Sequence, residues 1–493
     1  MDTVFLDKQQ GLPAVVYKSH PQQGPIHTLF RQAIHRATLL EREILASFTY
    51  TLPTFNPLSV YKTFISLHLG ERLYWEQPSE QKAFVGAEVA TTIETQGEKR
   101  FQEASELWQR LQLDAVVTTT AQETKNNGLL LLGGFAFDPL RARTEPWDGF
   151  EDGLLILPHL LYTVCKEHAT LSLNILVKPG DNAEQLTQDS ITTLHHIEQA
   201  LGQVENSASE DEPSPTGDFT LQDLVSASSW KSLVQTTVSK IQHNDYKKVV
   251  LARGVQVTHN EEPFNIAESL QRLRTSYPGA YVFAFQRGER TFMGATPERL
   301  LQAQNGQIQT MALAGSAPRG ANAQEDTYLG AELTRSAKNK EEHDIVVNVV
   351  REALERHCEK IWVADTPQLL RLKNIQHLET PIVGKLRTGE SVLSAIQDLH
   401  PTPAVGGVPR EAALQEIREH EGLDRGWYAG PVGWIDAAGN GEFAVALRSA
   451  LVEKERATLF AGCGIVAGSN PESEYAESCL KLKVMLRGLG AEE

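Results

Sequence analysis

LFAGCGIVAGSNPESEYAESCLKLKVML, residues 459–486, is the stretch from which the rest of the chain can be read. It opens as an apolar strand, passes Gly462, Gly464 and Gly468, and enters a helix with Ser469 or Asn470 as N-cap and Pro471 in its first turn. Helical spacing places Tyr475, Cys479, Leu482 and Leu486 on a core stripe, and Glu474, Glu477 and Lys481 on a neighbouring one. In an ordinary helix those charges complement the macrodipole and form a Glu477–Lys481 pair worth a few tenths of a kcal/mol. The glycines point further, because they let a backbone approach a ligand closely and turn N–H groups toward an anion. The stretch predicts a strand, a glycine turn and a helix framing a site for an anionic ligand and a metal.

Composition sets what such a ligand can be. At 493 residues with 41% hydrophobic content, the chain is long enough for an extensive core. A formal charge of −17 argues against nucleic acid or an anionic membrane as the main partner, while leaving room for a local basic pocket. The expected ligand is therefore small. Cys165, Cys358, Cys463 and Cys479 are far apart and show no CxxC spacing, which indicates neither a zinc site nor a disulfide framework and fits a reducing compartment. The N-terminus lacks a basic segment followed by a long apolar run, and no stretch approaches the roughly 18 apolar residues of a membrane span. The expectation is a cytosolic protein, or one of the plastid stroma if a transit peptide has been removed.

Working outward from the C-terminal stretch, periodicity predicts helices over 26–45, 98–113, 187–201, 221–243 and 334–357. Strands are expected at 64–69, 72–74, 83–85, 128–137, 153–157, 248–258, 280–286 and 291–294. Two hairpins follow, 300–303 with 308–314 around Asn305-Gly306, and 430–436 with 442–453 around AAGNG. Residues 204–218, VENSASEDEPSPTGD, read as an acidic Ser/Pro linker or surface loop between an N-terminal half, 1–203, and a C-terminal region, 219–493. Long hairpin-paired strands covered by helices give an α+β fold with large, mostly antiparallel sheets, and the two halves have strand content suited to one shared sandwich.

Several other residues stand out. Glu342 falls in line with Val346, Val349 and Ala353 on a helix, where a lone glutamate is ordinarily solvated. Lys248 opens the strand KVVLARGV, and Glu298 sits between strands in GATPERLL, positions usually taken by solvated or turn residues. Arg448 lies inside the apolar run FAVALRSALV, so if it faces inward it needs a carboxylate or phosphate.

Together the segments YKKVVLARG, GATPERLL, ALAGSAPRG, KNKEEHDIV, IQHLETPIVGKL, LHPTPAVGGVPR, RGWYAGPVGWI, FAVALRSALV and the opening stretch resemble, in order and spacing, the chorismate-binding enzymes. The resemblance covers residues 220–489, with a weaker extension through GGFAFDP, Trp147 and Phe150 into the N-terminal half. It implies the anthranilate synthase component I type of fold, a two-layer β-sandwich flanked by helices. It also implies a small-molecule substrate, chorismate, and Mg²⁺ as cofactor.

By match to the family motifs, Lys248 would be the base that activates water and Glu298 the acid that protonates the departing C4 hydroxyl. Glu342 and Glu477 would hold Mg²⁺, with Glu474 as a nearby or water-mediated partner. Arg448 and Tyr428 would clamp the enolpyruvyl carboxylate, with Gly462, Gly464 and Lys481 completing the anion site. His377, Ser316 and Ala404 match other pocket-lining positions. Lys248, and ALAGS where a relative carries a lysine-bearing PIKGT-type segment, place the chain with the branch that adds water rather than ammonia. The resemblance therefore implies isochorismate formation without an obligate amidotransferase partner, by a monomer, with a quinone pathway as the expected destination. Salicylate-forming relatives, which go on to eliminate pyruvate, are the nearest rival.

Overall fold

A computed structural model describes residues 23–121, 128–205, 217–371 and 375–491; the side chain of Glu342 is outside what it describes. Two large sheets face one another and share the strand Gly153–Cys165. In the first sheet, Val116–Thr119 lies parallel to Ile44–Leu52, which is followed by His168–Val177, Gly153–Cys165, Lys82–Thr95 and Arg72–Gln77. The order continues with Tyr281–Arg287, Arg290–Thr296, Ser449–Glu453, Arg456–Ile465, Lys248–His259 and Phe219–Asp223.

The second sheet leaves the first half of Gly153–Cys165 through Leu130–Phe135, Pro431–Asp436, Gly441–Val445, Arg299–Gln304, Gln307–Pro318 and Ile375–Leu386. Among the described residues, every pairing but the Val116–Thr119 one is antiparallel. The α+β sandwich implied by the resemblance is the observed fold.

Period-two alternation explains why its central strands are apolar throughout. Along Tyr281–Arg287, Tyr281, Phe283 and Phe285 enter the core between the sheets. Val282 and Ala284 face the core under the helices Gln23–Leu40, Pro57–Ser66, Ala183–Glu205, Ile266–Ser276 and Pro471–Leu489. A strand covered on both faces has no polar side to show. The two sequence halves interleave in this core: Trp147 lies 5.8 Å from Phe460, and Leu130–Phe135 is hydrogen-bonded to Pro431–Asp436.

Four expected elements are corrected. Residues 64–69 are not a strand; Asn56 caps Leu58 N–H, Pro57 occupies the first turn, and Leu58, Tyr61 and Phe64 bury one face of the helix Pro57–Ser66. The helix expected over 221–243 is the edge strand Phe219–Asp223 followed by Ala227–Gln242, started by Ser226. The helix expected over 334–357 is interrupted at Ser336, whose extended backbone ends Ala323–Arg335 and whose hydroxyl caps Ala337–Glu355. The strand expected over 442–453 divides into Gly441–Val445 and Ser449–Glu453, which belong to different sheets. Of the expected linker, residues 206–216 lie outside the described residues, while Val204 and Glu205 end a helix. No helix among the described residues is long and apolar enough to cross a membrane.

Candidate active site

A cavity of about 300 Å³ opens where strands of the two sheets part beside the C-terminal helix. Lys248, Glu298, Ser316, His377, Ala404, Tyr428, Arg448, Gly462, Gly464, Glu474, Glu477 and Lys481 all line it. These are all of the site residues expected from sequence whose side chains are described. Glu342 lies on Ala337–Glu355, the helix that brings Asn339 to the same cavity. A larger apolar cavity of about 700 Å³ adjoins it and shares Pro297, Ser316, Arg448, Glu477 and Lys481.

Lys248 begins the strand Lys248–His259, paired on one side with Arg456–Ile465 and on the other with Gly407–Val408. Gly462 and Gly464 prove to be in that neighbouring strand, opposite Ala252 and Val250, and only Gly468 is in the turn. Gly462 offers its carbonyl to Lys481 Nζ at 2.8 Å, and a Cβ on Gly464 would stand 2.9 Å from Lys248 Cε. Gly464 thus keeps the space the Lys248 side chain occupies.

Glu298 sits at the corner between Arg290–Thr296 and Arg299–Gln304. The residue is half-buried and lines the cavity. Burial raises its pKa to about 7, against the opposing pull of Arg448, Lys248 and Lys481. Near neutral pH this group can therefore carry a proton to a leaving group.

Arg448 is on the corner between Gly441–Val445 and Ser449–Glu453 rather than within a strand. Its φ of 49° is unusual for a residue with a side chain, and its carbonyl accepts Ala295 N–H at 3.1 Å. This corner turns the guanidinium into the cavity, where burial lowers its pKa from the usual arginine value. Tyr428 stacks on Phe460 at 5.1 Å, and burial raises its phenol pKa, so it acts as an O–H donor rather than a phenolate. Ser316 Oγ and His377 Nδ1 are 2.8 Å apart; burial, then Lys481 and Arg448, lower the imidazole pKa to about 4 and keep it neutral.

The helix Pro471–Leu489 starts as expected, with Asn470 Oδ1 accepting Glu472 and Ser473 N–H. Its deeply buried face is Ser478, Leu482, Met485 and Leu489, one step round from the expected stripe. Glu477 pairs with Lys481 at 2.7 Å, as its spacing predicts. Ligand atoms of Glu474, Glu477 and Cys463 lie within 4.8 Å of one another. Burial raises the Glu474 pKa and the charge on Glu477 adds to it; a cation between the two carboxylates would relieve both. Cys463 is a thiol, pushed up to about 12 by burial, with its S–H directed to the Glu474 carbonyl. The oxygen pair therefore suits a hard cation such as Mg²⁺.

Sequence reasoning missed Arg425 and its partner Glu421. Arg425 lines the cavity, donates to the carbonyls of Val250 and Val405 at 2.7 and 3.0 Å, and pairs with Glu421 at 2.5 Å. Glu421 in turn accepts Ala252 N–H at 2.7 Å. This buried pair ties the strand that carries Lys248 to the loop that carries Ala404. Its only signal in sequence is a Glu and an Arg four apart in a non-periodic stretch. Glu421→Ala should lower unfolding free energy by about 3 kcal/mol, because it leaves a buried guanidinium uncompensated; urea denaturation with an unchanged midpoint would contradict this.

Comparison with known proteins gives the arrangement its context. The family model described as chorismate binding enzyme matches residues 32–490. The chain belongs to that family. It is 37% identical to isochorismate synthase MenF of Bacillus subtilis over 93% of this chain and 96% of that protein. It is 40% identical to the salicylate biosynthesis isochorismate synthase of Pseudomonas aeruginosa, over 96% of each chain. Among solved structures it is similar to MenF, the menaquinone-specific isochorismate synthase of Escherichia coli, with a TM-score of 0.73 and 27% identity, covering 95% of this chain and 100% of the other. Membership makes the chain a chorismate-binding enzyme, and the match spans both halves of the sandwich.

Proposed function

We propose that this chain is an isomerase that converts chorismate to isochorismate. Water adds at C2, the two ring double bonds shift from C1=C2 and C5=C6 to C1=C6 and C4=C5, and the C4 hydroxyl leaves as water. Lys248 takes the proton from the attacking water, and Glu298 gives its proton to the departing oxygen. One proton is taken up and one given, so the step balances as an isomerisation. The observation that carries this reading is that Lys248 and Glu298 line one cavity, where burial raises the glutamate to about 7.

Arg448 and the Tyr428 hydroxyl hold the enolpyruvyl carboxylate of the substrate, and Lys481 adds positive charge beside it. Glu477, Glu474 and Glu342 would hold Mg²⁺, which when bound neutralises and orients the ring carboxylate. Ser316 fixes the neutral His377 ring at the wall, and Ala404 leaves room for the substrate. The relatives named above carry different destinations, menaquinone and salicylate, for one shared reaction.

Purified protein incubated with chorismate and Mg²⁺ tests the reaction by separation of products. Isochorismate alone is expected. Salicylate with pyruvate would transfer the chain to the lyase reading, and turnover only with an added amidotransferase would transfer it to the ammonia-using one. For the metal, Glu477→Gln should weaken Mg²⁺ binding more than Glu474→Gln in a calorimetric titration. Equal or reversed losses would refute Glu477 as the stronger ligand.

A further inference from the structure

The acid Glu298 and the clamp Arg448 stand on two corners that run side by side. At 296–298 the chain leaves the first sheet for the second, and at 446–448 it returns from the second to the first. Regular pairing stops at Gly294 with Ser449 and resumes at Arg299 with Ala444. Between these rungs the two chains must stay together without a continuous ladder. The Thr296 side chain fills the gap. Its hydroxyl donates to the Val445 carbonyl at 2.6 Å and accepts the Glu298 N–H at 3.3 Å. Backbone bonds from Val445 N–H to the Glu298 carbonyl, 3.0 Å, and from Ala295 N–H to the Arg448 carbonyl, 3.1 Å, close the corner on either side.

We propose that Thr296 is a positioning residue for the proton transfer: its hydroxyl replaces the backbone rung lost where the chain changes sheets, and so fixes the Glu298 acid relative to the Arg448 clamp. Thr296 is fully buried and does not line the cavity, so it acts through its neighbours rather than on substrate. Orientation of this kind governs rate more than binding, since a displacement of about 1 Å of a reacting group can cost about 10²-fold. The Glu298 carboxyl stands beside Arg448 and Lys481, and its desolvation in that position is what holds its pKa up. Displaced from this position the carboxyl would gain hydration, and Arg448 and Lys481 would then draw it down from about 7 toward the ordinary carboxylate range.

The inference rests on Glu298 being the acid, and the test separates the two. Parent protein and Glu298→Gln are assayed first with chorismate and Mg²⁺: turnover by the parent and its loss in the variant establish the reading independently of Thr296. Thr296→Val, which keeps the shape and removes the hydroxyl, is then expected to lose about 10²-fold in kcat with little change in KM. The alkaline limb of its pH–rate profile is expected to move to lower pH. Thr296→Ser is expected to restore both rate and limb. If Thr296→Val only lowers the melting temperature, with rate and limb kept, Thr296 is structural and the proposal is overturned. If the valine variant does not fold, Thr296→Ala is measured in its place, and an unmoved limb there overturns the proposal equally.

Discussion

Lys248→Ala is expected to lower kcat on the order of 10³-fold, with KM little changed and Mg²⁺-dependent binding of chorismate retained in calorimetry. The expectation follows from where the lysine stands. Its side chain passes over Gly464 into the cavity and faces Glu298, so alanine there removes the acceptor for the water proton without opening the carboxylate site at Arg448 and Tyr428. Lys248→Arg should not rescue the rate, because a guanidinium stays protonated and cannot act as a base at neutral pH. Equal rates for parent and alanine variant would remove Lys248 from the mechanism.

Glu298→Gln is expected to reduce turnover by a comparable factor and, in the same molecule, to raise stability at alkaline pH. The carboxyl must be protonated to serve, so the parent's rate should fall as pH rises through about 7, a limb the glutamine variant lacks. The effect on stability has the same origin. With a folded value of about 7 against 4.5 for an ordinary glutamate, the carboxyl's favourable contribution is fully present below 4.5 and is lost as pH rises through 7. Its loss amounts to about 3 kcal/mol by pH 8. Glutamine keeps the shape without the charge, so a urea midpoint above the parent's at pH 8, converging near pH 4, is the expected pattern. A parent whose rate is flat from pH 6 to about 9 would contradict Glu298 as the acid.

Much of this site is legible in the sequence because each part has a local signature. The C-terminal helix announces its start through Asn470 and Pro471, and the Glu477–Lys481 pair follows from helical spacing alone. The hairpin at Asn305-Gly306 appears where expected, with both residues at positive φ, 52° and 75°. The resemblance then supplied the long-range part, that Lys248, Glu298, Arg448 and Glu477 share one cavity, which no local spacing encodes.

What escaped the sequence reading depends on contacts between distant segments. FAVALRSALV reads as one strand because residues buried on both faces look alike in either sheet, and no Gly or Pro marks the corner at 446–448. The break shows only in the pairing, Ala444 with Arg299 and Ser449 with Gly294. Ser336 interrupts a helix that is otherwise well patterned, through one extended residue that serves as the next cap. Residues 64–69 alternate like a strand, yet Asn56 and Pro57, eight and seven positions before residue 64, had already committed the segment to a helix. The Glu421–Arg425 pair became visible only once the carbonyls of Val250 and Val405 were seen to converge on the guanidinium.

The central claim is that a water molecule, activated in this cavity, becomes the new C2 hydroxyl while the C4 oxygen departs. Incubating the protein with chorismate and Mg²⁺ in ¹⁸O-enriched water and weighing the product by mass spectrometry tests it directly. Isochorismate carrying one ¹⁸O at C2, with no pyruvate released, is the predicted result; an unlabelled product, or salicylate with pyruvate, would contradict it.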